Sequence, residues 1–395
     1  MHPPFSRRTR WNLAPNRQAT LLQEARSAGA APIDLTESNP TRCGLPSTEA
    51  MVAELGHPRG SRYEPDPLGH PEARAAVVAH HRARGVEVDP ARVVLSASTS
   101  EAYAWLFKLL CDGGDAVLVP QPSYPLFDLL ATLEDVRLVP YPLVREEGWR
   151  IDLPALEAAI DSKTRAILVV HPNNPTGSFT RRDEADSLER LASERGLALI
   201  VDEVFADYAL GPLPPDRLPT FAGRARALTF VMSGLSKVAA LPQLKLGWTL
   251  VSGPDESVRA AMERLEVIAD TYLSVGTPVQ RALPAILAHV APLQSAIRAR
   301  TAANLTTLDA AIAAIGPHAA VRRLPVDAGW CAILEVPRTL DEDGWVERLL
   351  RDERVVVHPG YFFDLDREGY LVVSLLPETD RFAEAIERVI AALER

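Results

Sequence analysis

Short apolar runs alternate with helical patterns through the middle of the chain. Five of these runs are rich in Val, Ile and Leu, and each predicts a short buried strand, at 93–96, 116–120, 166–171, 197–201 and 228–233. Helical patterns separate several of them, for example at 101–110 and 182–195. Because strands that alternate with helices form a parallel sheet with helices on both faces, the pattern predicts an α/β unit.

The C-terminal part of the chain has a different pattern. A long helical stretch at 292–315 precedes apolar segments at 332–336, 355–358 and 370–375 and a final helix at 381–393. This order predicts a smaller α+β unit. The first forty or so residues are irregular and lack an apolar core, so we expect them to pack on the small unit or on a partner subunit. We therefore predict an N-terminal segment 1–46, a large domain 47–290 and a small domain 291–395.

Composition and charge narrow the classes of function. The chain has 395 residues, 47% hydrophobic and 24% charged, with a net charge of −10 that argues against a nucleic-acid partner. Cys43, Cys111 and Cys331 are far apart and form no CxxC pair, so we expect neither a disulfide framework nor a metal site. The sequence has no uncharged apolar run of about 18 residues, which predicts no membrane span. Its basic N-terminus is not followed by an apolar stretch, so we expect a cytoplasmic protein.

Sites in open parallel sheets lie at the carboxyl ends of the strands, so the residues that follow each strand are candidates for chemistry. After the first strand, Ser98, Thr99 and Ser100 open a helix, which indicates either an anion site at the helix N-terminus or a simple helix cap. After the second, Tyr124 either covers a flat ligand ring or packs in its own loop. After the third, Asn174 lies in Asn-Asn-Pro-Thr-Gly, where its amide either contacts a ligand or bonds its own turn.

The last two strands end in charged residues. Asp202 follows a buried strand, where a carboxylate needs a cation, either a charged ring nitrogen of a ligand or an arginine. Lys237 follows the next strand in an apolar setting that would lower its pKa, which makes it a candidate Schiff-base nucleophile. The alternative is an ordinary surface lysine on a loop.

The order of these features is more informative than any one of them. Asn-Asn-Pro-Thr-Gly, Asp-Glu-Val-Phe and Ser-Gly-Leu-Ser-Lys follow one another, with 28 residues from Asn174 to Asp202 and 35 from Asp202 to Lys237. From about Asn39 to its C-terminus the chain resembles the fold-type-I pyridoxal-phosphate (PLP) enzymes, the aspartate aminotransferase superfamily. The resemblance implies the PLP-dependent transferase fold, with a large domain whose mostly parallel seven-stranded sheet lies between helices, and a smaller α+β domain.

The resemblance also implies roles for individual residues. Lys237 would hold the cofactor covalently and move the substrate proton, Asp202 would pair with the ring nitrogen, and Tyr124 would stack on the ring. Asn174 would contact the phenolic oxygen of the cofactor. The cofactor phosphate would be bound by serine and threonine residues near the first strand and the lysine, namely Ser98, Thr99, Ser100 and Ser236. Two further residues, Tyr63 and Thr277, would reach the site of a neighbouring subunit, which implies a homodimer with composite sites.

Three positions depart from the family pattern. Phe205 stands where a tyrosine is usual, which predicts a higher pKa for the lysine–cofactor linkage, and Lys245 stands where an arginine usually grips the phosphate. Val372 stands where an arginine usually binds the substrate α-carboxylate. Arg42, which follows Asn39 in a loop that resembles the family's substrate-covering segment, is either a substitute for that arginine or a surface residue. The aromatic residues expected to line the substrate pocket, or else to pack in the core, are Trp330 and Phe363.

The resulting hypothesis is an aminotransferase that moves an amino group between an amino acid or related amine and a 2-oxo acid, by a ping-pong mechanism. A PLP-dependent lyase, decarboxylase, racemase or oxidase on the same fold is the alternative, because the usual carboxylate-binding arginine is absent and the fold does not fix the reaction. A regulatory protein with an attached DNA-binding segment is disfavoured, because the first forty or so residues are too short and poorly patterned for one.

Overall fold

Alternating strands and helices build the large unit of the protein. The structure is a computed structural model that describes residues 5–27, 29, 31–146, 148–273 and 275–395; residues 1–4 of the basic N-terminus lie outside the described part. The strands are β1 Ile33–Asp34, β2 Val93–Ser96, β3 Ala116–Gln121, β4 Arg137–Arg145, β5 Trp149–Ile151, β6 Thr164–Val170, β7 Ala198–Asp202, β8 Thr229–Gly234, β9 Gly247–Ser252, β10 Arg322–Arg323, β11 Cys331–Glu335, β12 Val355–Val356, β13 His358–Pro359 and β14 Tyr370–Ser374. The α-helices are α1 Arg17–Ser27, α2 Glu49–Ala53, α3 Pro71–Arg82, α4 Thr99–Leu110, α5 Leu126–Leu133, α6 Leu153–Ala158, α7 Arg182–Arg195, α8 Leu235–Val238, α9 Asp255–Tyr272, α10 Thr277–Ala288, α11 Val290–Ile315, α12 Glu342–Arg348 and α13 Thr379–Leu393.

The central sheet has the strand order β2-β9-β8-β7-β6-β3-β4-β5 in the described part of the chain. Six strands run in one direction, and β9 and β5 run in the other, so the sheet is mostly parallel, as predicted. The expectation of seven strands is wrong by one: the additional strand is β5, a three-residue edge strand that pairs with β4. A hairpin brings β5 back along β4 and buries the side chain of Trp149.

Both faces of the sheet are covered. Along β6, Ile167 and Val169 belong to one apolar core, whereas Ala166 and Leu168 belong to a second core on the opposite face. Successive side chains of a strand point to opposite faces, so a strand that is apolar throughout requires a cover on each side. The predicted α/β class is therefore confirmed.

A second, antiparallel sheet with the order β10-β11-β14-β13 forms the smaller unit. Its apolar face packs with residues of α13 and of the C-terminal half of α11. The helix α11 also spans the two units. The amide of Gln294 donates to the carbonyl of Val238 at 3.0 Å, and ten residues later Asn304 donates to the carbonyls of Leu375 and Pro377 at 2.8 Å.

The N-terminal segment contains more structure than its sequence pattern indicates. The helix α1 lies in a region predicted to be irregular, and the side chain of Asn16 accepts the Ala19 N–H at 2.8 Å to cap it. Gln18 donates to the carbonyl of Val357 at 2.8 Å, and β1 pairs with β12 in parallel. These contacts join the segment to the small unit, although the domain limits at residues 46 and 290 stay predictions. No helix in the described residues is long and apolar enough to cross a membrane.

Candidate active site

Lys237 lies in the short helix α8, directly after β8. Just before the helix, β8 and β9 lie close together, because a Cβ on Gly234 would lie 3.0 Å from the backbone of Gly247. The Lys237 Nζ is 5.0 Å from the ring centroid of Trp330 and 5.5 Å from that of Phe205. Burial lowers the pKa of the Lys237 amine, while electrostatic interactions with Cys331 and Asp202 act in the opposite direction. The amine is therefore easier to deprotonate than an exposed lysine, as a nucleophile requires.

Asp202 is the last residue of β7 and is only 8% exposed. Its Oδ2 accepts the hydroxyl of Tyr103 at 2.9 Å, and its Oδ1 accepts the N–H of Val204 at 3.1 Å. Burial raises the pKa of this carboxyl, and the two hydrogen bonds and the charge of Lys237 partly offset that effect. A buried carboxylate of this kind is complementary to a cationic ligand group.

Sequence reasoning missed Tyr103. It lies on the apolar face of α4, fully buried, and its ring packs edge-on against Phe127 with the centroids 5.2 Å apart. From the sequence alone, a tyrosine on the apolar face of a helix cannot be distinguished from an aromatic residue that only packs in the core. Its hydrogen bond to Asp202 depends on the alignment of α4 with β7, two elements almost a hundred residues apart.

The hydroxyl-rich turn before α4 has the features of a cap. The Ser98 hydroxyl accepts the N–H of Glu101 at 3.1 Å, and the Glu101 carboxylate accepts the N–H of Ala97 at 2.6 Å. The turn lies close against β9, because a Cβ on Gly247 would be 3.1–3.2 Å from backbone atoms of Ser98 and Thr99. Lys245 precedes this glycine by two residues and is exposed. The structure therefore places Gly247, two residues after Lys245, against the predicted phosphate turn.

A cavity of about 510 Å³ opens beside these groups. Tyr124 and Asn174 line it together with Phe363, Val372 and Cys331, so it unites residues from both units. The cavity reaches the neighbourhood of Lys237 through Cys331, because Lys237 and Cys331 are close enough to influence each other's pKa. Burial raises the pKa of the Cys331 thiol to about 12. The Asp202 charge also acts on Tyr124, whose pKa burial raises.

Other predicted site residues lie elsewhere or have structural partners. Tyr63 and Thr277 line a separate, small cavity of about 50 Å³. The Asn39 side chain accepts the N–H and hydroxyl of Thr41, so it caps its own loop. The Arg42 side chain is 74% exposed, and its nearest carboxylate, that of Glu37, is 3.9 Å away. Three more candidates lie at the lysine turn or pack beside it: Ser236 is half-buried, and Phe205 and Trp330 contact each other edge-on with centroids 5.2 Å apart.

Comparison with known proteins identifies the family. The sequence model for aminotransferase class I and II matches residues 32–389. The chain belongs to this family. It is thus an aminotransferase, and the family implies pyridoxal phosphate as cofactor and amino acids and 2-oxo acids as substrates.

Named relatives of this aminotransferase cover most of its length. It is 24% identical over 394 residues to glutamate-pyruvate aminotransferase AlaA of Haemophilus influenzae, covering 95% of this chain and 93% of that protein. It is 28% identical over 373 residues to alanine aminotransferase of Mycobacterium tuberculosis, covering 90% and 84%. Among solved structures, alanine aminotransferase from Pyrococcus furiosus aligns with a TM-score of 0.84 at 23% identity, over 96% of this chain and 99% of that one. A double mutant of Thermus thermophilus aspartate aminotransferase aligns with a TM-score of 0.85 at 22% identity, over 99% and 100%. The structural likeness concerns the fold.

Proposed function

We propose that this aminotransferase binds pyridoxal phosphate through Lys237 and moves an amino group between an amino acid or related amine and a 2-oxo acid. The observation that carries the proposal is the buried amine of Lys237, at the end of a central strand and within electrostatic reach of the buried carboxylate of Asp202. When bound, the cofactor supplies an electron sink for the carbanion formed at the substrate carbon.

Each residue near the proposed cofactor site would have a separate role. Lys237, with its lowered pKa, would first form the covalent bond and afterwards accept and return the proton of the substrate carbon. Asp202 would stabilise the cationic ring nitrogen, and Tyr103 would orient the carboxylate through its 2.9 Å hydrogen bond. Tyr124 and Asn174, which follow β3 and β6, line the cavity. Tyr124 would contact the cofactor ring, and Asn174 would contact its phenolic oxygen.

The first turn of α4 supports the assignment of the phosphate site. Its N–H groups and positive dipole end suit an anion, and Gly247 lets β9 pack directly against the backbone of Ser98 and Thr99, which fixes the position of the turn. Ser98, Thr99, Ser100 and Ser236 would contribute hydroxyls or N–H groups. Lys245 would add charge without the two-pronged grip of an arginine.

A homodimer with composite sites is part of the proposal. Tyr63 is 76% exposed and Leu273 is 68% exposed, and the two line the small cavity that also contains Thr277. Large exposed apolar side chains at one place support a contact with a second copy of the chain. Sedimentation that gives only a 43.1 kDa species for the cofactor-loaded protein would contradict this assembly. A cytoplasmic location stays a prediction.

Two half-reactions test the proposed function. The protein is loaded with pyridoxal phosphate and mixed with an amino donor alone; we expect the cofactor absorbance to change, and a 2-oxo acid to restore it. Glutamate and pyruvate, which name relatives of this chain, are the first pair to test. Release of ammonia or carbon dioxide without transfer of the amino group would instead support the lyase or decarboxylase alternative.

Phe205 provides a separate pH prediction. Its ring is 8% exposed and 5.5 Å from the Lys237 amine, and it has no hydroxyl to donate to the cofactor oxygen. We expect Phe205→Tyr to lower the pKa of the lysine–cofactor linkage by about one pH unit, because one added hydrogen bond to a charged group is worth about 1.5–3 kcal/mol and part of it is lost to solvent. An absorbance titration of both proteins measures this value. An unchanged or higher value in the variant would refute the effect.

A further inference from the structure

The cavity beside Lys237 has no permanently charged side chain among its described lining residues. Val372, at the position where an arginine is usual in the family, is 1% exposed and faces Ile333 of β11 and His358 of β13 across the small sheet. The carboxylate anchor that the family pattern predicts is therefore replaced by an apolar side chain that packs in the wall of the cavity.

His358 is the nearest candidate for a substitute cation. Its ring lies parallel to that of Phe362, with the centroids 4.8 Å apart, and edge-on to that of Phe363 at 5.6 Å. Burial lowers the pKa of the imidazole to about 4, against a smaller opposing effect of Asp34. At neutral pH His358 is therefore uncharged, and with Phe362 and Phe363 it forms an aromatic wall.

The remaining polar side chains of the lining are uncharged, and two of their hydroxyls already have partners within the protein. The Ser374 hydroxyl donates to the carbonyl of Glu37 at 2.7 Å and accepts the N–H of Leu376 at 3.2 Å. The Thr36 hydroxyl donates to the carboxylate of Asp34 at 2.5 Å. Both hydroxyls thus have partners within the protein. Arg42 is not among the residues that line the cavity, and its side chain is 74% exposed.

A site built around a buried polar group rejects an analogue that lacks its partner by about 10⁴–10⁵, because the site's own group is then left unpaired. This cavity has no guanidinium to leave unpaired. We propose that the site discriminates only weakly on the α-carboxylate, so that primary amines with an apolar substituent react at rates within about a hundredfold of those of amino acids with the same side chain. The substituent would lie against Phe362 and the exposed face of Leu129. This inference rests on the proposed function.

The exchange balances with the acceptor that the proposed function supplies. The donor R–CH₂–NH₂ loses two electrons and becomes the aldehyde R–CHO. The carbonyl carbon of the 2-oxo acid gains two electrons and becomes the carbon that bears the amino group. The amino group and the carbonyl oxygen exchange places between the two molecules.

Matched donors test the inference on the unmodified holoenzyme. Leucine is compared with 3-methylbutylamine, and phenylalanine with 2-phenylethylamine, by the second-order rate constant of the donor half-reaction. We expect the two constants of each pair to agree within about a hundredfold; a larger preference for the amino acid overturns the inference and leaves the proposed function intact. A protein that neither binds the cofactor nor reacts with any donor overturns the proposed function itself.

A binding comparison extends the test to molecules that cannot react. The Kd of 3-phenylpropanoate is compared with that of 3-phenylpropan-1-ol by calorimetry on the holoenzyme. We expect the two values to differ by less than about a hundredfold, and a stronger preference for the carboxylate overturns the inference.

Two variants then locate the selectivity. Val372→Arg is expected to raise the amino acid to amine ratio at least tenfold, and Val372→Ala, which keeps the wall uncharged, is expected to leave that ratio unchanged. Because a buried arginine endangers folding, the unmodified enzyme remains the primary test. Arg42→Gln is expected to affect both members of each pair equally; a loss confined to the amino acids would assign the carboxylate to Arg42 and overturn the inference.

Discussion

Replacing Lys237 with alanine is expected to reduce amino transfer at least about 10⁴-fold and to prevent a covalent bond between protein and cofactor. In the proposed mechanism, the variant loses both the nucleophile and the group that would move the substrate proton. The chain has four lysines, and the other three are Lys108, Lys163 and Lys245. Borohydride reduction followed by peptide mapping is expected to find the pyridoxyl adduct on Lys237 in the parent protein and no adduct in the variant.

Lys163→Ala is the matched control. The Lys163 side chain is 58% exposed, with its Nζ 3.4 Å from the Asp115 carboxylate, and it lies at the end of the sheet opposite to the candidate site. We expect this variant to retain the adduct and the turnover of the parent protein. An adduct on another lysine in the parent protein would contradict the central assignment.

Asp202→Asn is expected to lower kcat by about 10²–10³, the range observed when one preorganised electrostatic partner of a transition state is removed. Asparagine has nearly the same shape and still accepts the Val204 N–H, so the fold is expected to persist. What the variant loses is the negative charge that would stabilise a cationic ring nitrogen. The measurements are kcat and the absorbance spectrum of the bound cofactor.

Tyr103→Phe is the control for that interpretation. It removes the 2.9 Å hydrogen bond to Asp202 but leaves the carboxylate charge and the packing against Phe127. We expect a decrease in kcat of less than about tenfold, in line with the loss of one hydrogen bond. Equal decreases in the two variants would show that the orientation of residue 202, and not its charge, carries the effect.

The parts of the fold that follow from local sequence were predicted closely. The strand β2 and the helix α7 have the predicted limits, because Val-rich runs and a charged, periodic stretch leave few alternatives. The helix α1 and the strand β5 were not predicted. Both depend on distant partners: α1 bonds to Val357, and β5 exists as an edge to β4.

In the candidate site, too, the residues that follow from local sequence were predicted, and the contacts between distant elements were not. The order of motifs led to Lys237 and Asp202, because parallel strands bring their carboxyl ends to one edge of the sheet. The hydrogen bond from Tyr103 and the neutral ring of His358 beside Val372 could not be predicted, because each depends on how two elements far apart in sequence align. Its loop made Arg42 a candidate to bind the substrate carboxylate. In the structure its side chain is exposed, and it is not among the residues that line the cavity.

The helix α11 contacts two parts of the site. Gln294 bonds to the carbonyl of Val238, the residue after Lys237, and Asn304 bonds to the carbonyl of Leu375, directly after β14. At 1.5 Å per residue, these two anchor points are about 15 Å apart along the helix axis. Inserting a single residue between them would turn the far amide by about 100° and detach it from the carbonyls of Leu375 and Pro377. The number of residues between Gln294 and Asn304 thus helps to set the distance between the Lys237 turn and the end of β14, so insertions in this part of α11 should be far less tolerated than substitutions on its exposed side.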